Sequence, residues 1–374
     1  MTLVLYPGIR SPMGRFGGHF QNISPMRIMA ELIPILANRL GFSLEESGEV
    51  FFGQCRQAGH GPNPARSAAL WGGIPEHVPC STLNAACPSG LLVLRSALAG
   101  EPNKVIWAGG MDSMSTIPYL LKGCRFSGFK MGNRVLEDGW SDSIDPVIQM
   151  GMGQTAEEIV GAYQIDRQEM DRYAKLSQDR AIKTEQKGGF GGERVAVLGL
   201  EKDETPRLTN LEKLATLPPV FGGEVTAGNA CSMADAAAVY VLADQSRFPD
   251  SPCFKVRQVM AHACAPRWMG LGPGQAIQRC WREQGLNASD IGVYEINEAF
   301  AVQVLANLRD TDLDIEQVNQ RGGAIALGHP TGMSGARLLV SAMDQMIETD
   351  CELGLVTLCG AGGITGLALL QRIR

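Results

Sequence analysis

Residues 78–100 read VPCSTLNAACPSGLLVLRSALAG, a stretch in which two periodicities meet at a cysteine. Val78–Leu83 contains β-formers and predicts a short buried strand, whereas Pro88–Gly100 has helical spacing. Pro88 suits the first helical position, where its missing N–H costs nothing, and Gly100 suits the position just past the end. That reading puts Cys87 at the helix N-cap. Unpaired N–H groups and the positive end of the helix dipole favour an anion there, so the thiol is expected to ionise below its free value of about 8.5. A thiolate so placed is a nucleophile. A strand that hands over to a helix is also the repeating unit of an α/β fold.

The same alternation runs outward in both directions. A helix is predicted from about Ser24 to Leu40, capped by Ser24, with Pro25 at its first position, Gly41 past its end and Pro34 as an internal dent. Val105–Gly110 (VIWAGG) reads as a strand stopped by glycines. From Pro118 to Phe221 the chain is more charged and carries one clear helix that ends at Gly188 and Gly189, which reads as an inserted region. Val225–Asp244 (VTAGNACSMADAAAVYVLAD) predicts a Gly-Asn turn, a small-residue helix and a short strand. From Phe254 onward the βα alternation returns, with strands in IGVYEIN and LGLVTLC. The two βα-rich regions that flank the insertion suggest two copies of one unit.

With 374 residues, 45% hydrophobic content and 45 glycines, the chain can bury one large core or two. A net charge of −6 gives no general attraction to nucleic acid or an anionic membrane, so an anionic ligand needs a local basic cluster. The ten cysteines form no CxxC pairs and fit a reducing compartment. No histidine-carboxylate cluster has metal-ligand spacing, and no dinucleotide or Walker loop is complete. Neither a signal peptide nor a membrane span is visible, so a soluble cytoplasmic protein is expected.

Three further stretches join Cys87 at element ends. EINEAFAVQ puts Asn297 and Glu298 at a strand-to-helix junction. RGGAIALGHPTGMSGAR puts His329 in a glycine-rich loop before a helix that begins near Met333, and TLCGAGG puts Cys359 at a strand end. Singly, each has an ordinary structural reading. Together they supply a nucleophilic thiol, an imidazole to take its proton, a second thiol and backbone donors for an oxyanion, which is the inventory of covalent acyl transfer.

On these residues the chain resembles the thiolases, the acetyl-CoA acetyltransferases and 3-ketoacyl-CoA thiolases. IRSPMGRFGG, GPNPARSAAL, AGGMDSMS, VTAGNA, MGLGP, NEAFA and GGAIALGHPTGMSGAR carry the resemblance over almost the whole length. It implies an α/β thiolase fold, two similar halves with mixed five-stranded sheets stacked as αβαβα, plus an inserted loop domain. The halves would be residues 1–117 with 222–250 and residues 251–374, and the insertion 118–221 would bind coenzyme A. The resemblance implies that Cys87 is acylated, that His329 accepts its proton and lines an oxyanion hole, and that Asn297 holds a water completing that hole. Cys359 would be the acid/base at the α-carbon, and the N–H groups of Cys87 and Ala361 a second oxyanion site. Met152, Arg207, Ala227, Cys231 and Phe300 match CoA-binding or pocket positions.

The chain also departs from the family pattern. Gly151 stands where short-chain relatives carry a histidine, which implies a larger or different acyl site. Cys231 replaces a serine, and Ala361 replaces a glycine in a longer loop after Cys359. The implied function is reversible thiolysis of a 3-ketoacyl-CoA, or the reverse Claisen condensation, through an acyl-cysteine. Coenzyme A is a co-substrate, no cofactor is permanently bound, and a homodimer or homotetramer is expected, with a fatty-acid-oxidation subunit as a further partner. The alternatives are a ketoacyl-synthase-like condensing enzyme and a degenerate thiolase that binds acyl-CoA without turnover.

Overall fold

The computed structural model describes residues 2–373 apart from 127 and 129, so the outermost residues of the expected halves, 1 and 374, and two positions of the expected insertion lie outside it. Among the described residues the main sheet has ten strands, of which the two-residue Gly14–Arg15 pairs only with Ala234–Asp244, off the main path, and nine form that path: β1 (Leu3–Arg10), β2 (Ser47–Gly53), β3 (Cys80–Leu83), β4 (Val105–Ser113), β5 (Ala234–Asp244), β6 (Cys253–Ala263), β7 (Val293–Ile296), β8 (Leu353–Cys359) and β9 (Ile364–Ile373). They are hydrogen-bonded in the order β7-β8-β9-β6-β1-β5-β4-β2-β3. Pairing is parallel for β7 with β8, β4 with β2 and β2 with β3, and antiparallel elsewhere. The order is a repeat: β1-β5-β4-β2 in one half corresponds to β6-β9-β8-β7 in the other, and the halves join through Leu5 opposite Phe254.

The amino-terminal half has five strands. In the other half a parallel bridge between Tyr294 and Val318 continues the sheet beyond β7. A side chain substitutes for backbone there: Asn319 Oδ1 accepts the Ile296 N–H at 2.8 Å and its Nδ2 donates to Ile296 O at 2.7 Å. The strand-like pairing is thus completed without a fifth full strand.

Eight helices matter for the layers: α1 (Pro25–Leu40), α2 (Pro64–Trp71), α3 (Ser89–Ala97), α4 (Met152–Tyr163), α5 (Arg167–Gln186), α6 (Gly272–Gln284), α7 (Ala301–Thr311) and α8 (Thr331–Glu348). α1 and α2 cover the outer face of the first half, α6 and α7 the outer face of the second, and α3 and α8 pack together between the two. Strand alternation serves two cores at once. On β5, Ala236, Ala238, Tyr240 and Leu242 face the central helices, while Ala237, Val239 and Val241 face the outer ones. A helix apolar all round belongs in an interior, and Leu91–Leu94 of α3 are all buried.

Local signals set many boundaries. Ser24 Oγ accepts the Arg27 N–H, Pro25 opens α1, and Gly41 closes it at φ 72. The expected small-residue helix before Asp244 is instead the 11-residue strand β5. Alanine favours a helix in isolation, but these alanines lie in the middle of the sheet, where their small side chains let helices and neighbouring strands close in.

Candidate active site

Two close contacts assemble the site. α3 and α8 start beside each other: a Cβ on Gly332 would lie 2.5 Å from the Cys55 backbone nitrogen, so glycine there lets α8 approach the loop after β2. The same loop is tied down by Asp112 at the end of β4, whose carboxylate accepts from the N–H groups of Cys55, Arg56 and Gly332 and from Thr331 Oγ1. At the second contact, a Cβ on Gly360 would lie 2.5 Å from Pro88 Cδ. The proline after one cysteine therefore seats against the glycine after the other, which brings Cys87 and Cys359 together.

The turn that carries Cys87 differs from the expected cap. α3 begins at Ser89, and Pro88 occupies the cap position with helical φ and ψ, so Cys87 lies one residue before it. The helix stops at Ala97, short of Gly100. Ala86 holds φ 54, unusual for a residue with a Cβ, and is fixed by Ser89 Oγ, which accepts from Ala85 N–H and donates to Ala86 O, and by Asn84 Oδ1, which accepts the Ala86 N–H.

Ionisation also differs from expectation. Burial pushes the Cys87 thiol well above its ordinary value, the neighbouring Cys55, Cys359 and Cys231 add to this, and Arg56 opposes it. Enclosure outweighs the helix terminus, so the resting group is a thiol. Cys359, buried at the end of β8, is pushed up to about 12 by desolvation, and so is Cys231.

His329 precedes α8, which starts at Thr331 rather than near Met333. Burial lowers its pKa to about 4, with Arg337 and Arg56 contributing. Ser334 Oγ donates to Pro330 O at 2.9 Å and meets His329 Nδ1 at 2.6 Å. With its one proton given to Pro330 O, that hydroxyl accepts at the imidazole, and in this state the proton is on Nδ1 and the Nε2 lone pair is left to take a proton. The sequence reading missed Ser334; its place five residues after His329, in the first turns of a helix, was the available signal.

Cys87, His329, Cys359 and Ala361 line one cavity of about 940 Å³, together with Met152, Ala227, Cys231, Phe300 and Gly151. Asn297 lies behind the lining: it is fully buried, and both its side-chain polar atoms lack a hydrogen-bond partner among the described residues. Its neighbour Glu298 is a bolt between segments, accepting from Tyr173 Oη, Ser177 Oγ, Asn319 Nδ2 and Ile325 N–H. Arg207 is exposed and outside the lining; its guanidinium reaches Ser232 Oγ, which does line it, at 3.5 Å. Ala361 avoids the left-handed backbone that Gly362 and Gly363 adopt, so its Cβ is accommodated. A Cβ at Gly151 would meet nothing closer than Gln154 Oε1 at 3.7 Å. Two thiols, a neutral imidazole and the open backbone of a turn can together pass an acyl group between sulfurs.

Comparison with known proteins gives the same direction. Residues 3–246 match the model of the thiolase N-terminal domain and residues 251–372 that of the thiolase C-terminal domain. A probable acetyl-CoA acyltransferase of Staphylococcus aureus is 39% identical over 393 residues, covering 100% of this chain and 99% of the relative. One of Staphylococcus epidermidis is 41% identical, covering 96% of each. Among solved structures, the Bacillus anthracis acetyl-CoA acetyltransferase superimposes with TM-score 0.95 at 34% identity, covering 100% of this chain and 99% of that one. Human mitochondrial 3-ketoacyl-CoA thiolase in complex with CoA does so with TM-score 0.94 at 31% identity, covering 100% and 98%.

Proposed function

This chain belongs to the thiolase family, a CoA-dependent acyltransferase by that membership, and from this premise we propose that Cys87, His329 and Cys359 carry out its chemistry. The observation that carries the reading is their convergence, from three separate segments, on one cavity. In thiolysis the Cys87 sulfur attacks the ketone carbon as His329 Nε2 takes the thiol proton. The bond between the α- and β-carbons breaks, its electron pair forming the enolate of acetyl-CoA, and the Cys359 thiol gives that carbon a proton. The thiol of CoA then gives its proton to the Cys359 thiolate and attacks the Cys87 thioester, and His329 returns its proton to the departing Cys87 sulfur, which restores the enzyme.

The pKa directions fit these roles. A histidine lowered to about 4 is in its basic form at neutral pH, and a thiol pushed up to about 12 keeps a proton to donate. Asn297 brings unpartnered polar atoms to one oxyanion site by way of a water, and the N–H groups of Cys87 and Ala361 serve the other. Met152, Ala227, Cys231 and Phe300 hold the pantetheine and acyl parts, with Arg207 at the rim for the nucleotide end of CoA. We assign residues 118–221 as the CoA-binding insertion between portions of the first half, with 251–374 as the second. The same reading makes the protein a cytoplasmic homodimer or homotetramer in fatty-acid metabolism, open to a β-oxidation partner subunit. Among the described residues no helix is long and apolar enough to cross a membrane.

The test is thiolysis of a chain-length series of 3-ketoacyl-CoA substrates. Turnover that disappears in Cys87→Ser supports the assignment, and the preferred length reads the space at Gly151. Cys359→Ala is expected to accept an acyl group from acyl-CoA yet fail to condense. Undiminished turnover in Cys87→Ser would overturn it.

A further inference from the structure

The cavity lining is mostly apolar, and Arg56 is the permanent cation among its described residues. Its backbone is pinned from both sides: the N–H donates to Asp112 Oδ1 at 3.1 Å, and the carbonyl accepts from Gln54 Nε2 at 2.9 Å. The guanidinium donates to Ser143 Oγ and stands 5.2 Å from the centre of the Trp140 ring. Among the described residues it forms no ion pair with a carboxylate. Asp138, the carboxylate among the described lining residues, is exposed and accepts from the Trp140 backbone N–H.

The corner around Arg56 is rich in donors. Among the described residues, Arg56 Nε and Trp140 Nε1 are both buried without an acceptor, and Ser141 Oγ, next to Trp140 in the chain, is unpartnered. A half-buried cation with surplus N–H groups is costly unless something negative completes it. The positive charge is also felt at Cys87 and His329, which places the corner near the reacting centre rather than at the distant nucleotide end.

We propose that the site takes acyl chains ending in a carboxylate, received by the Arg56 guanidinium, a substrate class that rests on the thiolase chemistry above. The cavity would bind such a chain with its thioester at Cys87 and its far end at the Arg56 corner. Arginine is suited to this because its planar fork meets both carboxylate oxygens.

The experiment is titration of the full-length protein, carrying Cys87→Ala to prevent turnover, with glutaryl-CoA, valeryl-CoA and free CoA. The first two share a five-carbon acyl chain and differ in the terminal carboxylate. Glutaryl-CoA is expected to bind more tightly by roughly tenfold to a hundredfold, the range of a charge-assisted hydrogen bond. Adding Arg56→Gln should bring the ratio close to one, and the preference in the unsubstituted site should shrink with salt. Retained binding of free CoA shows that the doubly substituted protein is folded. Equal affinity for the two thioesters, or a preference that survives Arg56→Gln, overturns the proposal while the thiolase reading stands. Failure of all three ligands to bind overturns both. If Arg56 instead serves the thiolate, Arg56→Gln in protein with Cys87 intact slows acylation by both thioesters equally, which also contradicts the proposal.

Discussion

At the scale of single residues, enclosure governs the chemistry. Cys87 is a thiol held above its usual range, so alkylation by iodoacetamide is expected to climb steadily from pH 7 to 9. A plateau near pH 7 would restore the preformed thiolate that the helix-terminus argument anticipated. His329 makes a second prediction. Its folded pKa is about 4 against 6.5 when unfolded, so between these values the unfolded chain binds the extra proton and stability rises with pH. The effect is on the order of 3 kcal/mol, fully present above pH 6.5 and lost as pH falls toward 4. Denaturation of His329→Asn across this window should show a shallower slope than the parent, and an unchanged slope would remove the buried neutral imidazole from the account. Ser334 is a positioning residue. Ser334→Ala should lower kcat by about tenfold to a hundredfold with KM little changed, and Ser334→Thr should restore part of it; equal loss in both variants would point to packing.

At the scale of elements, glycine contacts and buried carboxylates set where the residues end up. Gly332→Ala would drive a methyl group into the Cys55 backbone, so the start of α8, and His329 with it, must shift. A loss of about 1–3 kcal/mol in stability and a larger loss in activity are expected, measured by denaturant unfolding and thiolysis. Glu298→Ala removes the carboxylate acceptor shared by four donors, two of them on α5, and should loosen the α5 region first, which hydrogen exchange would show as faster exchange in Arg167–Gln186. Several elements were legible in sequence because their signals are local: the Ser24 and Gly41 ends of α1, and β8 over LGLVTLC. β5 was not, because a run of alanines reads as helix until the neighbouring strands and the helices packed on it are known.

At the scale of the molecule, the fold brings the starts of α3 and α8 together at the centre, with the cysteine at the end of β8 beside them. The sequence motifs singled out Cys87, His329 and Cys359, which line one cavity, because each sits at an element's end among glycine and proline. What they do not contain is the environment. The raised thiol pKa of Cys87 and the position of Arg56 in the same cavity arise from residues far apart in the chain, and the contact of Ser334 with the imidazole, although only five residues away, depends on how the loop before α8 is folded. The segment 118–221 shares in this, since its Trp140 and Met152 line the cavity. The central claim is that an acyl group rests on Cys87 during turnover. Mass spectrometry of peptides from protein mixed with acyl-CoA and quenched in acid tests it most directly. An acyl mass on the peptide containing Cys87, absent in Cys87→Ser, is the expected result; an acyl group on Cys231 or Cys359 instead, or none in protein that turns over substrate, would contradict the account.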